Sequence, residues 1–296
     1  MSFSPFDRDR IAFRHKRFRA IPVRTLVPNV ITLLALCAGL TSIRLAVEAR
    51  LEWALAAIVF AAALDGLDGR IARMIKGQSR FGAELDSLAD FVNFGCAPAL
   101  ILYLWDLSDL GNVGWIAAMV FAICGALRLA RFNVMSDDPN RPLWAGNFFT
   151  GVPAPAGAII VMLPIYLNLL GVPKAAPVLT LIYTLGIASL MVSQLPVFSG
   201  KRVGKRVEPE MVLPVFVLVV LFFALLIAYP WWVLSIGTVC YLACLPLGWF
   251  AYREYRRKDA MSAAAAAAST QAVEQGHDAP QQPTADDDTE RPARLN

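Results

Sequence analysis

The sequence predicts an all-α membrane protein of about eight transmembrane helices, on three observations. Hydrophobic residues make up 57% of the 296 and charged residues only 17%, against roughly 25% charged in soluble domains. Mean hydropathy is +0.54, the value of a chain mostly in lipid. The apolar residues also fall in runs near the ~20 residues that a helix needs to cross the hydrocarbon core. A soluble enzyme, a disordered chain and a disulfide-rich secreted protein are excluded. The five cysteines all lie in apolar runs and are expected to be small buried hydrophobes. No Cys or His cluster suits zinc.

Eight stretches qualify as spans, at 26–47, 53–73, 81–104, 114–133, 152–170, 177–195, 212–228 and 231–252. The first follows a basic arm over residues 1–25, in which Phe13, Phe18 and Ile21 lie among arginines. That arm suits either an interfacial helix on anionic lipid or a solvated topology signal. It lacks the short charged region and small-residue site of a cleavable leader. The second stretch is the acidic one. The first six form an expected catalytic core at 26–195, and the last two, within 196–258, carry no motif. Beyond residue 259 an alanine run and a Gln/Pro/Asp-rich stretch cannot bury a face, and that tail is expected to be disordered.

Basic residues set the orientation. Arg8 to Arg24, Lys76 with Arg80, Arg131 with Arg141, Lys201 to Arg206 and Arg253 to Lys258 all fall on one side of an eight-helix arrangement. The other side offers little more than Arg50 and Lys174. Both termini are thus expected in the cytoplasm, in the cell (inner) membrane.

The chemistry is carried by Asp65 and Asp68, three apart, and by Asp86 and Asp90, four apart. Each pair lies on one helix face, and the turn near 76–80 brings the two faces together just inside the cytoplasmic surface. One carboxylate there costs at least ~2.5 kcal/mol, and four would repel unless cations neutralised them. A hard oxygen donor set favours Mg²⁺ or Mn²⁺. Four carboxylates suffice for two ions at the ~3.5–4 Å spacing used for phosphoryl displacement. Gly69 and Gly82 permit close approach of backbone or ligand. Arg73 and Ser79 edge the site, suited to phosphate and sugar oxygens. Pairing of the acids with arginines to hold helices together is the simpler alternative, and two matched pairs flanked by glycine weigh against it.

The spacing Asp-x₂-Asp-Gly-x₂-Ala-Arg-x₈-Gly-x₃-Asp-x₃-Asp is filled by Asp65, Asp68, Gly69, Ala72, Arg73, Gly82, Asp86 and Asp90. It resembles the complete signature of the CDP-alcohol phosphotransferases, membrane enzymes that exchange the CMP of a CDP-linked lipid for an alcohol. Four further segments, Pro28–Thr32, Phe94–Ala99, Arg128–Asn133 and Gly151–Ala156, are similar to the integral-membrane phosphatidylserine synthases of bacteria and archaea. The resemblance implies transfer of a phosphatidyl group from CDP-diacylglycerol to L-serine. Asp65, Asp68, Asp86 and Asp90 would hold the metals, with Asp90 also the base for the serine hydroxyl. Asn29, Thr32, Asp65, Gly69, Ala72, Arg73, Ser79 and Gly82 would hold the CDP-lipid.

Asn93, Arg128 and Arg131 are the candidate acceptor contacts. Asn93 stands where a serine or threonine is expected, and the two arginines serve equally as topology anchors. The prolines at 153 and 155 read as helix-start residues. Within the family, glycerol 3-phosphate and inositol phosphate are the rival acceptors. An aromatic prenyltransferase would need a second intramembrane Asp-rich motif, and a carboxylate-based cation transporter would show inverted repeats. The expected partners are CDP-diacylglycerol, L-serine and membrane lipids, with no nucleic acid. Oligomeric state stays open, a homodimer included.

Overall fold

The computed structural model describes residues 23–75, 77, 79–136, 148–193, 195–198 and 209–246, with 257 and 261. Residues 1–22 of the basic arm, nearly all of the tail, Lys76, the stretch holding Asp137 and Asp138, and the end of the eighth predicted span lie outside these residues. The chain is an all-α membrane protein. Its helices are α1 Val23–Val47, α2 Leu51–Met74, α3 Arg80–Asp90, α4 Ala97–Trp105, α5 Asn112–Ser136, α6 Ala154–Val161, α7 Leu163–Leu169, α8 Pro177–Val192, α9 Pro209–Ala228 and α10 Pro230–Pro246. Each predicted stretch coincides with a helix or a broken pair of helices. Among the described residues, four spans are long and apolar enough to cross a membrane by length and composition: Leu26–Val47, Arg80–Trp105, Asn112–Met135 and Met211–Ala228.

The tightest pairing, α1 on α2, comes from a row of small side chains. Thr32, Ala35, Ser42 and Ala46 lie on the buried face of α1, with Gly39 turned to the Phe91–Cys96 segment, and Ala54, Leu55, Ile58 and Ala61 form the buried face of α2. In lipid no hydrophobic force drives helices together, so close approach of small residues supplies the dispersion contact.

Two interruptions depart from the sequence expectation, and a proline explains each. The third span is not uniform: α3 and α4 are joined by a π-helical turn at Phe91–Cys96, in which the Ala97 N–H donates to the Val92 carbonyl. Pro98 has no N–H for the Phe94 carbonyl one turn earlier, and the wider turn takes up the mismatch. The fifth span breaks into α6 and α7 at Met162. Here Pro164 cannot serve the Ile160 carbonyl, and the Tyr183 hydroxyl of α8 donates to it instead, at 2.7 Å.

A short antiparallel ladder was also not expected. Phe148–Thr150 (β1) pairs with Pro196–Phe198 (β2), in the register Phe148↔Phe198. It tethers the segments following α5 and α8. Gly151 adjoins it at φ +77°, and a Cβ there would strike the Met191 and Ser193 carbonyls. At the opposite end, the Lys174 ammonium lies 2.8 Å from the Asp106 carboxylate, which is 0% exposed, and donates to the Trp105 carbonyl at 3.1 Å. That pairing neutralises one of the two exceptions to the basic-residue asymmetry.

The cysteine expectation needs correcting. Cys37, Cys240 and Cys244 are exposed, and Cys96 and Cys124 half-buried. In a bilayer the outer face of a bundle is as apolar as its core, so an apolar setting in sequence does not imply burial.

Candidate active site

The site forms where the N-terminal ends of α1 and α3 meet the C-terminal end of α2. Helix α3 begins at Ser79, whose Oγ accepts the Gly82 N–H at 3.0 Å and so caps the helix. The cap directs α3 back along α2, which sets Asp86 opposite Asp68. Asp65, Asp68 and Asp86 each bring a carboxylate oxygen within 4.8 Å of the others. Asp68 is 3% exposed, and its Oδ2 accepts the Thr32 hydroxyl at 2.7 Å. The same hydroxyl lies 3.1 Å from the Pro28 carbonyl, so its single proton is shared between a local bond and the acid. Three oxygen donors this close, with no nitrogen or sulfur donor among them, can hold a divalent cation.

Above the acids opens a cavity of about 270 Å³. Asn29, Thr32, Asp68, Gly69, Ala72, Arg73, Ser79, Gly82 and Asp86 are on its wall, with Pro28, Gly77 and Ala83. Every residue expected to meet the CDP-lipid is there except Asp65, which stays with the carboxylate cluster. The two glycines differ in what they make room for. A Cβ on Gly82 would sit 2.8 Å from Asn29 Oδ1 and 3.1 Å from Ser79 Oγ, whereas one on Gly69 would meet no protein atom. Gly82 is required for packing, and Gly69 leaves its space to the cavity.

Asp90 is not on that wall. It lies close to Asp65, and both acids face Arg128. Arg128 of α5 is only 7% exposed, with its guanidinium carbon 5.3 Å from the centre of the Phe132 ring. Arg131, one turn on, takes another path: its Nη1 donates to the Val192 carbonyl at 2.6 Å, at the C-terminal end of α8. A cation there satisfies a terminal carbonyl and complements the helix dipole. Asn93 is 1% exposed in the π-helical turn. It packs against α1, where a Cβ on Gly39 would overlap its side chain.

Sequence reasoning missed two things here. The Asn133 amide donates to Ser87 Oγ at 2.9 Å, tying α5 to the acid-bearing helix. The capping role of Ser79 was also missed, although a serine directly before a helical run is a readable start signal.

Comparison with known proteins bears directly on this site. Residues 25–195 match the CDP-alcohol phosphatidyltransferase family, and residues 210–246 match CDP-alcohol phosphatidyltransferase 2. Similar proteins named CDP-diacylglycerol–serine O-phosphatidyltransferase occur in Mycobacterium tuberculosis, at 53% identity over 45% of this chain and 46% of that one. Others are in Mycobacterium leprae, at 40% over 77% of each chain, and in Helicobacter pylori, at 35% over 73% of this chain and 88% of that one. The match spans about half the length of the Mycobacterium tuberculosis relative, at 46%, and most of the other two. With the family match covering the helices that build the cavity, the chain belongs to the CDP-alcohol phosphatidyltransferase family.

Proposed function

We propose that the protein transfers the phosphatidyl group of CDP-diacylglycerol to L-serine, giving phosphatidylserine and CMP. The observation that carries this reading is the cavity in which the signature glycines and Arg73 stand directly over clustered carboxylates. The name shared by the mycobacterial and Helicobacter pylori relatives supports serine as the acceptor.

Asp65, Asp68 and Asp86, with Asp90 beside them, would hold two Mg²⁺ or Mn²⁺ ions. Such ions, when bound, supply the positive charge that offsets the pyrophosphate and the developing charge of the leaving CMP. The cytidine diphosphate occupies the cavity over Gly69 and Arg73, with Asn29, Thr32, Ala72, Ser79 and Gly82 around it. Arg73 is suited to a phosphate oxygen, and the hydrogen bond from Thr32 holds Asp68 in one orientation. The serine hydroxyl oxygen forms a bond to the phosphorus that carries the diacylglycerol, and the bond from that phosphorus to the CMP oxygen breaks. The hydroxyl proton passes to Asp90, beside Arg128. Acyl chains leave sideways between helices into lipid. The active site faces the cytoplasm of the inner membrane, on the side of the basic loops.

The test is release of CMP by the purified protein from CDP-diacylglycerol with Mg²⁺ or Mn²⁺ and each acceptor in turn. L-serine should support turnover. Release with glycerol 3-phosphate or inositol phosphate instead would overturn the reading.

A further inference from the structure

Helix α10 lies beyond the 25–195 match, yet it packs against the bundle that holds the acids. Its inward face comprises Leu234, Ser235, Thr238 and Tyr241, and Tyr241 is packed against the hydrophobic core. Tyr241 comes within electrostatic range of Arg128. Each of the two residues carries a buried polar atom with no hydrogen-bond partner, the Nε of Arg128 and the hydroxyl of Tyr241. An unmade bond at a buried group costs the full loss of its hydration, and most heavily for a charged one. Arginine has only donors and a phenol has one, so what both lack is an acceptor.

The carboxylates nearby do not fill this role. Asp65 contributes to the carboxylate cluster, and Asp90 lies beside it. An incoming anion would supply the missing acceptor. The acceptor proposed above carries a carboxylate close to its reactive hydroxyl, so one molecule can meet Arg128 and Asp90 together.

We propose that Tyr241 of α10 completes the acceptor site: its O–H and the Nε–H of Arg128 together hold the carboxylate of the amino-acid acceptor. The assignment rests on the serine reading and adds to it a residue outside the signature. Ethanolamine, which lacks the carboxylate, would lose both contacts, so Tyr241 contributes to selection of an amino acid over an amino alcohol.

The experiment uses the full chain in nanodiscs and the substitution Tyr241→Phe, which keeps the ring and its packing. The KM for L-serine should rise about tenfold or more, as expected for one lost bond to a charged group. The KM for CDP-diacylglycerol should be unchanged and kcat should stay within about twofold. L-serine methyl ester, with no anionic carboxylate, should be used equally by the wild type and by Tyr241→Phe. A variant that is merely damaged would lose both substrates in proportion, which would overturn the proposal. Combining Tyr241→Phe with Arg128→Lys should raise the serine KM less than the product of the single effects, because the two residues share one ligand. Serine turnover with an unaltered serine KM in Tyr241→Phe would remove Tyr241 and leave the serine reading standing. A wild type that uses glycerol 3-phosphate and not serine would overturn both.

Discussion

At the scale of single residues, the two glycines of the signature separate packing from ligand space. Gly69→Ala introduces a methyl group that meets no protein atom, and alanine favours a helix over glycine by about 1 kcal/mol. The variant should therefore melt at or above the wild-type temperature while binding CDP-diacylglycerol poorly. Unimpaired lipid-nucleotide binding would show that the cavity holds something else. Asp90→Asn tests the other half of the chemistry. An amide can still coordinate through its oxygen but cannot take the serine proton, and general-base catalysis contributes about 10²- to 10⁴-fold. Turnover should fall by at least that factor with CDP-diacylglycerol binding retained. Lost binding would mark Asp90 as a structural or metal residue first. The glycines, acids and Arg73 were readable from their spacing. The division between Gly69 and Gly82 was not, because it depends on which helix lies opposite each one.

At the scale of elements, prolines decided where the helices deviate, and partners from elsewhere in the fold decided whether the deviation is tolerated. Pro164 leaves the Ile160 carbonyl without its helical donor, and Tyr183 supplies a replacement from α8. Ile160 is 2% exposed, so Tyr183→Phe should leave a buried carbonyl with only the Met162 N–H and cost about 1 kcal/mol. Thermal unfolding in detergent measures this, and an unchanged melting temperature would mean that water reaches the carbonyl. The expectation of one unbroken helix over 152–170 failed for the same reason. Hydropathy reports which segments enter lipid and is indifferent to a turn whose hydrogen bonds are satisfied by a neighbour. Pro98 was a visible sign of the π-helical turn, but nothing local showed whether the chain would kink, break or widen there.

At the scale of the whole molecule, the two ends of the bundle are held by different means. Around the acids the ties are hydrogen bonds between helices, such as Asn133 to Ser87 and Arg131 to Val192. At the opposite end an ion pair joins Lys174 to the buried Asp106. The hydrogen bond from its ammonium to Asp106 raises Lys174 above the ordinary value of 10.5. A lysine whose pKa is raised on folding contributes stability that is full below its unfolded value and lost as pH rises through the folded one. Lys174→Met should thus melt lower at neutral pH, by about 1–3 kcal/mol since the lysine is partly exposed. The gap to wild type should close only at strongly alkaline pH. A gap that persisted there would mean that the lysine acts through packing on Trp105. Orientation is tested with reporter fusions: cytoplasmic signals after Arg80 and after Arg206, and none at Lys174. A periplasmic signal at Arg206 would remove the eight-helix arrangement.

Composition and spacing alone determined the solvent, the fold class and the carboxylate pairs, since each is a local property. Apolar run length answers to bilayer thickness, and acids three or four apart share a helix face whatever surrounds them. Only the tertiary structure decided that Arg128 turns toward the acids while Arg131, one turn away, caps α8. It alone showed that Ser79 serves a helix end as well as the cavity, and that Tyr241 of α10 lies near Arg128. These are choices of partner between segments distant in the chain. In a membrane, where every surface is apolar and burial leaves no mark in the sequence, they follow only from which helices pack together.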